Sequence, residues 1–185
     1  MTMLPDMPGA GPTPITFTVL GTPAPQGSKH GRPIYRGTGD AREFTGHVAQ
    51  VESSKSGVAT WRQDVVVAAQ NVLRVGPEDE QGMVERVGYP FGLSAVHVTI
   101  VFIFARPQHH FRTGRYAHEL RPNAPRLHTI KPDADKLLRS TFDALTTAGM
   151  WKDDCQVAGI AGEPIKVYAN PGELPGARIS IRSYE

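Results

Sequence analysis

One cysteine in 185 residues, Cys155, excludes an internal disulfide and leaves no second thiol for a zinc ribbon or a dithiol redox pair. It is expected to be a small packed residue. No apolar run approaches the ~20 residues of a membrane-spanning helix. Residues 1–14 have neither a basic cluster nor the apolar stretch of a secretion signal. The expectation is a cytoplasmic protein with no membrane partner. Residues 21–29 contain glycine but lack both the Gly-x-x-x-x-Gly-Lys-Ser/Thr order and a following helix, so no nucleotide cofactor is expected. His109 and His110 are adjacent rather than one helical turn apart and have no third ligand at a recognisable spacing, which argues against zinc. They read as loop residues that gain positive charge below about pH 6.5.

What is present suits one well-buried core, with 39% hydrophobic residues in a chain too short for two such cores. Net charge is only +2, but residues 106–131 hold six Lys/Arg against the single acid Glu119. Phe111 and Tyr116 interrupt this basic run. Cations interleaved with aromatics suit a phosphate backbone and unstacked bases, although an ordinary solvated loop has the same composition. Lys29, Arg32, Arg112, Arg115, Lys131 and Lys136 are the candidate phosphate contacts.

Along the chain, residues 1–14 carry four prolines and little to bury, and are expected to be a disordered tail ahead of one domain spanning 15–185. Ile15-Thr-Phe-Thr-Val-Leu20 alternates as a strand. Residues 26–50 have no sustained period and read as a long loop or a loose hairpin around Pro33-Ile-Tyr35. Val58, Trp61, Val65, Ala68, Ala69, Val72 and Leu73 mark one face of a helix, with Ser54 or Ser56 to cap it, Gly76-Pro77 to stop it, and an irregular connector over 77–92. Residues 93–105 give the strongest strand signal, apolar on both faces towards the end, as in a central strand. The basic segment that follows has no period and is long enough to be a functional or disordered loop. Leu137, Leu138, Thr141, Phe142 and Leu145 form the stripe of a second helix that starts near Asp135 and ends at Gly149. Two further strands are expected around 156–168 and 177–181. The predicted fold is α+β, a small mixed sheet packed with two main helices.

Asp133-Ala134-Asp135, followed by Asp153-Asp154, carries the chemistry. Two carboxylates ~4 Å apart at an effective dielectric near 20 repel by about 4 kcal/mol, so a shared site protonates or recruits a divalent cation. Oxygen-only ligation suits Mg²⁺ or Mn²⁺. One joint site requires the chain to double back after the helix and bring Asp153-Asp154 beside its start. Taken separately, Asp135 is equally a helix N-cap, Arg139 pairs with Asp143 at i+4, and Asp153-Asp154 is a strand-start pair.

Lys131-Pro-Asp-Ala-Asp-Lys-Leu-Leu-Arg-Ser-Thr-Phe-Asp-Ala-Leu145 and Ala148-Gly-Met-Trp-Lys-Asp-Asp-Cys-Gln-Val157 together resemble the signature of the RusA family of Holliday-junction resolvases. The Gly-x-Pro-x-Pro turn after the first strand and the helix around Trp61 resemble its phage members. The resemblance implies a RusA-like, homodimeric enzyme of bacterial or phage origin that hydrolyses phosphodiesters of four-way DNA junctions in recombination and repair, with Mg²⁺, or Mn²⁺ in its place. By position, Asp133, Asp135 and Asp154 match the family's metal-binding catalytic aspartates, and Asp153 is their neighbour. Arg139 stands where the family has a catalytic lysine, and it keeps the charge without an accessible pKa. Lys136 replaces an asparagine, and Lys131-Pro132 an aromatic pair for which Phe111 or Tyr116 are the candidate substitutes. A flap or other branched-DNA nuclease with the same acids is the nearest alternative reading, and a metal-dependent nucleotidyltransferase a more distant one.

Overall fold

The computed structural model describes residues 13–27, 29–52, 57–74, 88–160 and 165–184. β4 (Val96–Phe104) organises the chain. Its alternation turns Val96, Val98, Ile100, Phe102 and Phe104 into the core, all of them buried. The strand has neighbours on both sides, as its apolar flanks predict. β7 (Gly176–Ser183) pairs antiparallel on one side, and β1 (Ile15–Leu20) extends the sheet beyond β7. On the other side lie β5 (Val157–Ile160) and then β6 (Lys166–Tyr168), both parallel to β4. The result is a mixed five-stranded sheet. Where β1 and β7 meet, a Cβ at Gly176 would run into the Val19 carbonyl, so only glycine permits that approach.

Two helices bury their stripes against the sheet. α1 (Val58–Arg74) contributes Val58, Trp61, Val65 and Ala69, at the expected 3.6-residue spacing. α2 (Ala134–Thr147) contributes Leu137, Ser140, Thr141, Ala144 and Leu145. Trp61 joins the two layers, because its ring lies 6.3 Å from that of Phe102 while its Nε1 donates to Thr141 Oγ1 at 3.2 Å. Arg62 and Asp143 add an ion pair of 2.7 Å between the helices. Asp143 is therefore spent on Arg62, and not on Arg139 as the i+4 spacing suggested. Gly149 ends α2 at φ +80°, with the Met150 amide bonded back to the Leu145 carbonyl, a Schellman-type stop.

Several expectations need correction. Asp133, not Asp135, occupies the N-cap position of α2. The stretch read as a long loop or loose hairpin over 26–50 belongs to an antiparallel ribbon, β2 (Lys29–Arg36) with β3 (Glu43–Glu52), which turns at 37–42 instead of at Pro33-Ile-Tyr35. The segment at 156–168 is two short strands. The supposed tail lies almost wholly outside the described residues, as do the proposed cap and stop of α1 and most of the connector at 77–92. Among the described residues, no helix is long and apolar enough to cross a membrane.

Replacing Thr141 by valine keeps its volume but orphans the buried indole N–H of Trp61. The expected loss is about 1–3 kcal/mol of folding stability in urea denaturation.

Candidate active site

The first acidic pair sits where the chain turns into α2. Asp133 has extended backbone angles, and its carbonyl accepts the first helical bond from the Leu137 amide. Its carboxylate makes no capping bond and is exposed, so the helix leaves it free. Asp135, in the first turn, is exposed as well. The unpaired amides and positive dipole end of the helix favour negative charge here, whether carboxylate or phosphate. Lys136 Nζ lies 3.3 Å from Asp133 Oδ2, as a partly exposed ion pair.

What holds this start in place was missed in the sequence. The Lys166 ammonium donates to the carbonyls of Ile130 and Pro132, both at 2.6 Å, and its own carbonyl accepts from the His128 amide. One half-buried lysine on β6 thus fixes the three residues ahead of Asp133. A lone lysine inside the apolar run Ile165-Lys-Val-Tyr168 was the available signal, since a cation in a strand needs acceptors.

The second acidic pair lies in a short 3₁₀ turn, residues Asp154–Gln156. Asp153 caps it by accepting from the Cys155 amide at 2.9 Å, and that bond holds its carboxyl below the ordinary range. Asp153 is therefore engaged, whereas Asp154 is exposed and carries no such bond. The Gln156 amide anchors the turn by donating to the carbonyls of Gly92 and Ser94, at 3.3 and 3.0 Å. Cys155 is exposed, contrary to expectation, because the turn points it outward. A hydrogen bond from the thiol itself to the Asp153 carboxylate pushes the thiol pKa up.

The two pairs do not share a site within one chain. Val157 pairs with Val96 at the beginning of β4, while Lys166, which holds the residues before Asp133, pairs with Phe102 six residues further along. Six residues of strand, or the 14 of α2, cover on the order of 20 Å. The chain does double back after α2, but in doing so it carries Asp154 to the far end of the helix. Among the described residues no three His, Cys, Asp or Glu side chains are grouped to hold a metal ion. In type the donors fit Mg²⁺ or Mn²⁺, being exposed carboxylates that the fold does not consume; Asp133 and Asp135 alone fall short of a full protein ligand set. Arg139, one turn beyond Asp135, is exposed and makes no ion pair among the described residues.

The basic segment is largely committed to its own shape. Arg106 donates to the carbonyls of Ala169 and Pro125, both at 2.8 Å, and lies over the Tyr168 ring. Arg112 pairs with Glu119 at 2.6 Å, and Arg121 donates to the Phe111 carbonyl. Arg112 and Arg115 both stack on Tyr116, so that ring is already covered by guanidinium. Phe111 bridges to Leu120. Arg115 and Lys131 are exposed, as is Arg32 on β2, and Lys29 is the first residue of β2. His110 and His128 are buried against Tyr168, with His128 stacked on Phe104 at 4.0 Å. Burial lowers both imidazole pKa values below the ordinary 6.5, with nearby His109 and Arg106 adding to the effect at His110 and Lys166 at His128. His110 is thus not the readily charged loop histidine that the sequence suggested.

Two predictions follow from these contacts. In the unfolded chain His128 binds its proton at an ordinary pKa, so stability is complete above about pH 6.5 and declines as pH falls towards the lower folded value. His128→Phe, which retains a ring against Phe104, is expected to flatten that decline in urea titrations between pH 5.5 and 7.5. Lys166→Met removes two charged hydrogen bonds and should cost about 2–3 kcal/mol, with faster amide exchange at residues 131–135 by mass spectrometry.

No curated protein matches this chain. The family described as endodeoxyribonuclease RusA matches residues 55–182, more than two thirds of the sequence and a span that includes both helices, β4 to β6, all but the last residue of β7, and Asp133, Asp135, Asp153 and Asp154. The chain belongs to the RusA endodeoxyribonuclease family.

Proposed function

We propose that this endodeoxyribonuclease is a Mg²⁺-dependent homodimer that resolves four-way DNA junctions by paired phosphodiester hydrolysis in recombination and repair, in the cytoplasm of a bacterium or of a phage's host. The observation that carries the reading is the pair of exposed carboxylates, Asp133 and Asp135, at a helix start braced by Lys166, inside the family-matched span. Since α2 holds Asp154 about 20 Å away, the third ligand is assigned to a second copy. A two-fold dimer that sets the Asp154 turn of each chain against the α2 start of the other makes two equivalent sites, as paired cuts in a two-fold junction require.

Asp133, Asp135 and the second copy's Asp154 would hold the cation. When bound, it polarises a phosphoryl oxygen, lowers the pKa of an attacking water and offsets charge on the leaving oxygen. Arg139 supplies a permanent charge for the scissile phosphate and cannot act as a proton donor at neutral pH. Lys136 neutralises Asp133 while no substrate is bound and is within reach of an incoming phosphate. Lys131 and Arg115 extend the positive surface.

A cleavage assay on a synthetic four-way junction, a flap and a linear duplex tests the reading, each with Mg²⁺ and with chelator. Symmetric nicking confined to the junction and abolished by chelator is expected; preferential flap cutting would reassign the substrate, and equal cutting of linear duplex would reject a resolvase. Asp133→Asn and Asp154→Asn should each lose at least about 100-fold in rate while still binding the junction. Mixed in equal amounts and allowed to exchange subunits, the two inactive variants should recover about one quarter of wild-type nicking, because half the dimers then hold one intact composite site. No recovery, with exchange verified, would place each site within one chain.

A further inference from the structure

The ribbon formed by β2 and β3 lies outside the family-matched span and is unlike the rest of the molecule. Two strands alone are marginally stable in water and usually need a hydrophobic partner for one face. Here Tyr35 and Phe44 are directly opposed, with ring centroids 5.8 Å apart, yet they remain 44% and 53% exposed. Val48, packed over Gly31, extends the same apolar face and is also exposed. The Arg42 guanidinium lies 4.5 Å above the Tyr35 ring. Arg32 and Arg36 are exposed; Arg36 stands directly opposite Glu43 in the ladder, and none of the three arginines makes an ion pair among the described side chains.

The root of the ribbon is fixed beside the candidate site. Gln26, three residues before β2, is buried, and its amide donates to the Lys136 carbonyl in α2 at 3.0 Å. Its side-chain amide fits between Arg62 and Asp143, with its nitrogen 3.3 Å from Asp143 Oδ2 and its oxygen 3.2 Å from Arg62 Nη2. The ribbon thus leaves the body next to the helix turn that carries Asp133 and Asp135. Its register shifts between Pro33 and Tyr35, an irregularity of the kind that twists a ribbon and re-aims its side chains.

We propose that this ribbon is a nucleic-acid arm, on which Tyr35 and Phe44 stack against unpaired bases at a branch point while Arg32, Arg36 and Arg42 take the flanking phosphates. Paired rings with guanidiniums beside them form the combination that holds single-stranded nucleic acid, where every base offers a face and every linkage a negative charge. DNA is a more suitable occupant than a second copy, because the family acts on DNA and the ribbon leaves the body beside Lys136, in the helix turn that carries Asp133 and Asp135. The placement at a branch rests on the proposed function; the stacking itself does not.

The test uses a four-way junction with 2-aminopurine at the branch nucleotides, and Asp133→Asn protein so that cutting does not interfere. Binding is expected to change the branch fluorescence. Tyr35→Ser with Phe44→Ser should abolish that change and weaken junction binding on the order of 10- to 100-fold, with linear duplex binding unaltered. Arg32→Ala with Arg36→Ala should weaken binding to both DNAs and reduce the salt slope by about two. Unchanged fluorescence and affinity in the aromatic variant, with wild-type urea midpoints, would overturn the proposal. A shift of that variant from dimer to monomer in sedimentation would also overturn it, in favour of a contact between copies. Failure of the wild-type protein to cut any branched DNA would reject the proposed function, and base stacking would still be judged from the fluorescence.

Discussion

Because β4 and β5 run parallel, the chain between them must return along the full height of the sheet, and α2 makes that return. A helix cannot be shortened without losing whole turns of buried surface, and α2 is tied down along its length by Leu137, Thr141, Ala144 and Leu145. The distance between its ends is therefore as rigid as anything in the molecule. Both acidic pairs are mounted on those ends. Any account of how the aspartates act together has to accommodate this spacer, which holds Asp133 and Asp135 apart from Asp154 within one copy.

Much of the fold was legible because buried periodicity is a local signal. β4 and the two helices follow from alternation and 3.6-residue stripes, and Gly149 ends α2 because only a left-handed residue closes that turn without strain. The acids were legible as chemistry, since nothing in an apolar core requires them. Their separation was not, because the direction in which a strand pairs is decided by contacts between distant segments. The same reason hides Lys166, whose acceptors lie more than thirty positions earlier in the chain. Cys155 and the two buried histidines show the limit of composition: a small thiol went outward on a turn, and imidazoles in a basic segment went inward against Tyr168.

The charge distribution changes meaning once the contacts are known. Residues 106–131 look like a cationic surface in the sequence, yet Arg106, Arg112 and Arg121 are bonded to the segment's own carbonyls and carboxylate or to neighbouring backbone. Such guanidiniums act as cross-links that replace the missing regular structure. Cations that make no ion pair among the described side chains are more dispersed, among them Arg139 on α2, Arg115 in the basic segment, and Arg32, Arg36 and Arg42 in the ribbon.

Lys166 uses its carbonyl and its ammonium together, and the next two residues, Val167 and Tyr168, engage Leu127 and Arg126. The path of residues 126–132 is consequently specified by a three-residue strand and owes little to what precedes it. Over evolutionary time, insertions and deletions between β4 and residue 126 can accumulate without moving Asp133. The surface formed by residues 105–125 and the position of the acids are in this way separately adjustable. A lineage can reshape the first and leave the second untouched.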